Sequence, residues 1–198
     1  MQGSKGEFSG WSLTRKGVVM LTIAFAARAF TVDGSEESIR AVIRLTAQTS
    51  VTLFCAVFAA SSLRAVWPND LSRWLLRNRR YLGVTFAYSH FVHLLALIAL
   101  AGVSAEFVAG LSAVTLIFGG FAFVLIGAMA ATSNDRAVAA LGPVAWRRLH
   151  TFGVYYLWFL FLQSYLPRAL TQAPGYWLPT GALLAAIGLR AYVRLRPR

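Results

Sequence analysis

The chain has 198 residues, is 58% hydrophobic and only 13% charged, and carries a formal net charge of +12. A soluble domain averages about 45–50% apolar and about 25% charged residues, so an ordinary water-soluble fold is excluded. A nucleic-acid partner is set aside as well, because the basic residues fall in short runs between apolar spans. The single cysteine, Cys55, lies in an apolar run, which leaves no disulfide framework and no paired-cysteine metal site.

In chain order, residues 1–12 are polar and glycine-rich and read as a disordered cytoplasmic tail. Residues 13–198 then read as one all-α domain, a polytopic membrane protein of six transmembrane helices in a compact bundle. Arg15 and Lys16 precede a first apolar run over about 17–32. A basic start followed by an apolar stretch and small residues also resembles a secretion signal, but Arg28 inside the run argues for a retained span. Asp33 to Glu37 form an acidic loop.

The second span covers about 39–66 and is closed by Trp67 and Pro68, since proline disfavours helical geometry in the residue before it. A basic loop with Arg73, Arg77, Arg79 and Arg80 leads to a third span, about 81–103, which carries His90 and His93. The fourth, about 107–131, is rich in Gly and Ala, with Gly119 and Gly120 suited to close helix approach. The fifth runs over about 144–166 up to Pro167, with His150 at its mouth. The sixth, about 176–193, ends in Arg194, Arg196 and Arg198.

A bilayer core of about 30 Å needs about 20 helical residues. Six crossings put both termini on one side, and that side collects most of the nineteen Lys and Arg residues. The opposite side holds Asp33, Glu36, Glu37 and Glu106. The positive-inside bias therefore predicts a multi-pass membrane protein with both termini cytoplasmic. Trp67, Trp74, Trp146 and Trp177 fall near the expected interfaces, where indole rings anchor.

Histidines within a bilayer span are rare and usually functional. His90 and His93 are three residues apart, on roughly one helix face, and His150 enters a second span. Imidazoles from two membrane helices suit an axially ligated haem. The ordinary alternative is an interhelix hydrogen bond.

At this point the sequence resembles a family. RRYLGVTFAYSHFVH, Arg79 to His93, is followed by TSNDRAVAALGPVAWRRLHTFGVYYLWFLFLQ, Thr132 to Gln163. Together these stretches resemble the ferric reductase-like transmembrane domain. They are nearest to bacterial haem-binding membrane subunits of the MsrQ or YedZ type. The shared features are Arg79, Arg80, Leu82 and Gly83, then His93, Thr132 and Ser133, Leu141 and Gly142, Trp146, Leu149 and His150.

The resemblance implies one b-type haem, with His93 and His150 at the ligand positions. It also implies Arg79 and Arg80 at a flavin or quinone site on the cytoplasmic edge. The implied function is an electron-transfer subunit passing electrons from a quinol, a flavin or a separate reductase to an acceptor such as a periplasmic partner. Such a chain is an oxidoreductase subunit without its own NAD(P)H domain, and no glycine-rich dinucleotide element follows a strand here.

The sequence departs from the family at Gln163, where a second histidine is expected thirteen residues after His150. At about 1.5 Å per residue, His93 lies roughly 20 Å beyond Arg80, His150 about 3 Å beyond Arg148 and Gln163 roughly 22 Å beyond Arg148. His93 thus matches the depth of Gln163, and His90 stands closer to the level of His150. Ligation by His93, His150, His90 or Gln163 stays open at this point. Two alternatives remain: a haem-free membrane scaffold that binds a partner, and a small transporter using Gln48, Thr49, Ser50, Thr52, His90, His93 and Gln163.

Overall fold

The computed structural model describes residues 9–31, 35–172 and 174–196. Every regular element among the described residues is helical: α1 (Gly10–Phe30), α2 (Ser35–Val66), α3 (Asp70–Val103), α4 (Ala105–Ala109), α5 (Ala113–Ala131), α6 (Asp135–Leu141), α7 (Pro143–Thr171), a 3-10 turn (Pro174–Tyr176) and α8 (Trp177–Leu195). Three of these helices are long and apolar enough to cross a membrane: Glu36–Val66, Asp70–Val103 and Ala113–Ala131. The other long helices dilute their apolar runs. Arg15, Lys16 and Arg28 do so in α1, His150 with several Tyr and Trp residues in α7, and Arg190 and Arg194 in α8.

The local causes of the helix ends are legible. Asn69 and Ser72 form a reciprocal capping box that starts α3 at Asp70. The segment with Arg73, Arg77, Arg79 and Arg80, expected as a loop, is therefore the first part of a 34-residue helix. Helix α1 begins at Gly10, inside the expected tail, because Gly10 N–H donates to Asn78 Oδ1 at 3.1 Å. Residues 1–8 lie outside the described residues, as do Asp33 and Gly34 of the expected acidic loop.

The expected fourth span is broken in two. Gly110 closes α4, and Ser112 caps α5 by accepting from the Thr115 N–H. Pro167 does not stop α7, which continues to Thr171. Proline removes one backbone donor there, while Thr171 Oγ1 bonds the Pro167 carbonyl and Arg168 the Ser164 carbonyl.

Packing centres on α2 and α3, which run antiparallel along most of their lengths, with α1 against both. Helix α8 lies on α2 and α7, and α5 lies on α3 and α7. Phe54 and Phe58 of α2, Phe86 of α3, Ile126 and Met129 of α5, Leu157 and Phe161 of α7, and Leu183 of α8 form the shared core. The close helix approach is not at Gly119 or Gly120, where an added Cβ would meet nothing within 4 Å. It is at Gly153, where a Cβ would stand 2.5 Å from Met129 Sδ, and at Gly17, where it would stand 3.0 Å from Thr85 Cγ2.

Candidate functional site: two histidine neighbourhoods

The first neighbourhood lies on the α2–α3 seam. Residues Phe86, Ser89, Ala96 and Leu100 form the buried stripe of α3 at helical spacing, and His90 and His93 flank it. The two imidazoles stack on each other with centroids 5.3 Å apart. His90 is also packed against Phe86 at 5.6 Å, Phe123 at 4.9 Å and Phe161 at 5.7 Å. Its Nδ1 is buried and has no hydrogen-bond partner.

His93 is engaged differently. Its Nδ1 lies 2.9 Å from Thr46 Oγ1 of α2, and Thr46 is fully buried. Thr46 Oγ1 also lies 2.8 Å from the Val42 carbonyl of its own helix, to which it donates. Next to this pair, Ser50 and Ser89 join across the seam at 3.0 Å, and Ser89 donates to the Thr46 carbonyl at 3.3 Å.

The second neighbourhood is a cavity of about 200 Å³ where α3 and α7 begin and α8 ends. Gly142 sets up its geometry. With φ +77° it adopts the left-handed region that glycine favours, and Pro143 follows at the first position of α7. The turn brings the first coils of α7 back against Thr132, the C-terminal cap of α5. Trp146 Nε1 donates to the Thr132 carbonyl at 3.0 Å, and His150 Nε2 lies 3.1 Å from Thr132 Oγ1. Thr132 Oγ1 donates to the Ala128 carbonyl at 2.7 Å, and the His150 ring stacks on Trp146 at 4.3 Å.

Arg79, Arg80, Arg147 and Arg190 also line this cavity, over a floor that includes Phe54, Phe58 and Phe86. Arg80 pairs with Asp135 at 2.6 Å. Arg190 is fixed by the Phe58 carbonyl at 2.8 Å and Tyr155 Oη at 3.3 Å, with its guanidinium 4.4 Å over the Phe58 ring. Arg79 and Arg147 have no ion-pair partner among the described residues.

The histidines expected to meet are therefore divided. His90 and His93 are together, and no ring contact among the described residues joins either to His150. Phe86 stands between the neighbourhoods, lining the cavity and stacking on His90. Gln163 is exposed. The buried face of α7 carries Gly153, Leu157, Phe161 and Tyr165, and a step of two residues from Phe161 turns Gln163 about 200° away. Phe161, and not Gln163, faces His90 from α7.

Trp146 is a cavity wall and not a lipid-facing anchor, whereas Trp67 and Trp177 are exposed. Thr46 was the residue that sequence reasoning passed over. The available signal was a hydroxyl within an apolar span, with no partner visible until α3 folds beside it. Gln48 and Thr52 are exposed while Ser50 is buried, so the polar residues of α2 form no continuous track.

The donor chemistry suits a haem. The imidazoles of His93 and His150 are each held at one nitrogen by a threonine, the His93 ring also meets the Ile43 backbone carbonyl, and His90 carries an orphaned buried nitrogen. A pair of axial ligands facing each other from α3 and α7 does not fit, because Phe161 occupies the facing position. Among the described residues no group of three or more His, Cys, Asp or Glu side chains is placed to hold a bare metal ion.

Fold and site together define a protein that is helical throughout its regular described elements, with three helices long and apolar enough to cross a membrane and two separate imidazole neighbourhoods. No family model, curated protein or solved structure matches the chain.

Proposed function

We propose that the chain is a six-span bacterial inner-membrane subunit that carries one b-type haem and transfers electrons. The observation that carries this reading is the buried His90 Nδ1 without a partner, stacked beside His93 inside a phenylalanine enclosure. An unmade hydrogen bond at a buried polar atom costs about 1–3 kcal/mol, and a bilayer interior supplies no water to relieve it. His93 would hold the haem, and His90, stacked beside it on the same helix, would line it. Bound there, it supplies a one-electron carrier in a dry, aromatic setting.

The remaining residues fit such a role. The Thr46 bond fixes the His93 ring. The arginine-lined cavity suits a flavin, a quinone or the contact of a separate reductase, with Arg79 and Arg147 meeting negative charge and His150 holding a polar edge. Phe86 spans the distance from that cavity to His90. Both termini on the cytoplasmic side agree with the arginines at the cavity end and with Glu36, Glu37 and Glu106 at the other.

The test is an optical spectrum of the purified protein with pyridine haemochrome quantitation. A Soret band is expected, lost in a His90→Ala/His93→Ala double variant and kept in His150→Ala. Loss in His150→Ala alone moves the haem to the cavity. A protein that shows no band even after reconstitution with haemin sinks the reading.

A second reading is a haem-free scaffold. It draws on the same two threonine bonds, since His93–Thr46 and His150–Thr132 already tie helices together. Under it, the histidine variants lower thermal stability and change no spectrum.

A further inference from the structure

The hydroxyl protons on the α2–α3 seam can be assigned one by one. Ser89 donates to the Thr46 carbonyl, so its oxygen accepts from Ser50. Thr46 donates to the Val42 carbonyl, at 2.8 Å its nearer acceptor, with the Ile43 carbonyl at 3.0 Å. A hydroxyl carries one proton and two lone pairs. With its proton engaged within α2, Thr46 Oγ1 meets His93 Nδ1 as an acceptor, so the ring hydrogen belongs on Nδ1.

We infer that Thr46 is a positioning residue: it holds His93 as the Nδ1–H tautomer and leaves the Nε2 lone pair free to bind iron. This inference rests on the haem reading only for the use made of that lone pair. The tautomer itself follows from the seam. Nε2 is the nitrogen remote from the Cβ branch, so it can approach a flat macrocycle without crowding. A partner on the other nitrogen is what fixes the tautomer and orientation of a ligating histidine.

His150 is held in the opposite sense. Its Nε2 faces Thr132 Oγ1, whose proton goes to the Ala128 carbonyl, so the hydrogen belongs on Nε2 and the hindered Nδ1 is left over. One device, a threonine bonded back to its own helix, thus prepares His93 for iron and His150 for a hydrogen-bonding part in the cavity.

The experiment is ¹⁵N magnetic resonance of the full chain in lipid nanodiscs, labelled at histidine and expressed under haem-limiting conditions. Single His90→Gln, His93→Gln and His150→Gln variants assign the three rings. Protonated and unprotonated ring nitrogens give well-separated signals. The expected result is Nδ1–H for His93 and Nε2–H for His150. Thr46→Val should erode the His93 preference by about tenfold in tautomer ratio, while Thr46→Ser keeps it. Helicity and thermal unfolding of both variants show that the bundle is intact.

A wild-type His93 protonated at Nε2, or a Thr46→Val tautomer ratio equal to wild type, overturns the inference. Haem retention is the second readout: Thr46→Val should release haem faster than Thr46→Ser. If the tautomers are as assigned but no variant or wild type takes up haem, the haem reading fails and the positioning role stands.

Discussion

His93 and His150 meet their threonines by the same local chemistry, yet their surroundings diverge. Around His93 the partners are buried hydroxyls, another imidazole and phenylalanine rings. Around His150 they are an indole, four arginines and an open cavity. The contrast teaches that a hydrogen bond to histidine does not by itself define a role. The first setting excludes water and charge and leaves one nitrogen unmatched. The second gathers positive charge that three of its four arginines do not discharge on any acid among the described residues.

The sharpest way to break this division is to remove the wall. Phe86 is 5% exposed, packs on Phe54, Phe161 and His90, and lines the cavity. Phe86→Ala should destabilise the bundle by about 3–5 kcal/mol. It should also let a small aqueous probe reach His90, read as faster chemical modification of the imidazole. Unchanged reactivity would mean that the two neighbourhoods are parted by more than this ring.

Arg190 tests the cavity side. It is pinned by the Phe58 carbonyl and Tyr155 and lies over the Phe58 ring, so it ties α8 to α2 and α7. Arg190→Ala should cost about 2–3 kcal/mol in detergent unfolding. Arg190→Lys should recover only part of this, since a point charge cannot reproduce the planar fork.

A smaller effect is expected at the seam. Ser89→Ala removes the bonds to Ser50 and to the Thr46 carbonyl. Intramembrane side-chain bonds couple by about 0.6 kcal/mol on average and at most about 1.7 kcal/mol. A thermal-shift series should place Ser89→Ala in that interval.

The least change is expected at Gln163, which is exposed on the far side of α7. Gln163→Ala should lie within about 0.5 kcal/mol of wild type. If the protein carries haem as proposed, Gln163→His should leave its optical spectrum unchanged. A new low-spin signature in that variant would show that α7 can rotate to bring this position inward.

Much of the fold could be read from apolar runs, since the expected segments overlap α1, α2, α3, α5, α7 and α8. What escaped was governed by single side chains and not by hydropathy. The Asn69–Ser72 capping box converts an arginine-rich stretch from loop to helix. Ser112 restarts the chain after Gly110 and splits a run that looked continuous. Proline usually ends a helix, yet α7 continues past Pro167, with Thr171 Oγ1 and Arg168 donating to the Pro167 and Ser164 carbonyls.

The candidate site was legible only as a set of residue types. His90, His93 and His150 stand out in any membrane sequence. Their grouping depends on helix rotation, which spacing within one helix does not reveal between helices. Gln163 shows this: its depth along the axis agreed with His93, while its azimuth points it away.

Helix α3 has a mechanical consequence. Its 34 residues span about 51 Å, well beyond a hydrocarbon layer of about 30 Å. The arginines near its start and the histidines farther along belong to one rod with no proline between them. A sideways push on Arg79 or Arg80 therefore reaches His90 and His93 as tilt of one continuous helix, with Gly83 as the most pliable residue between them.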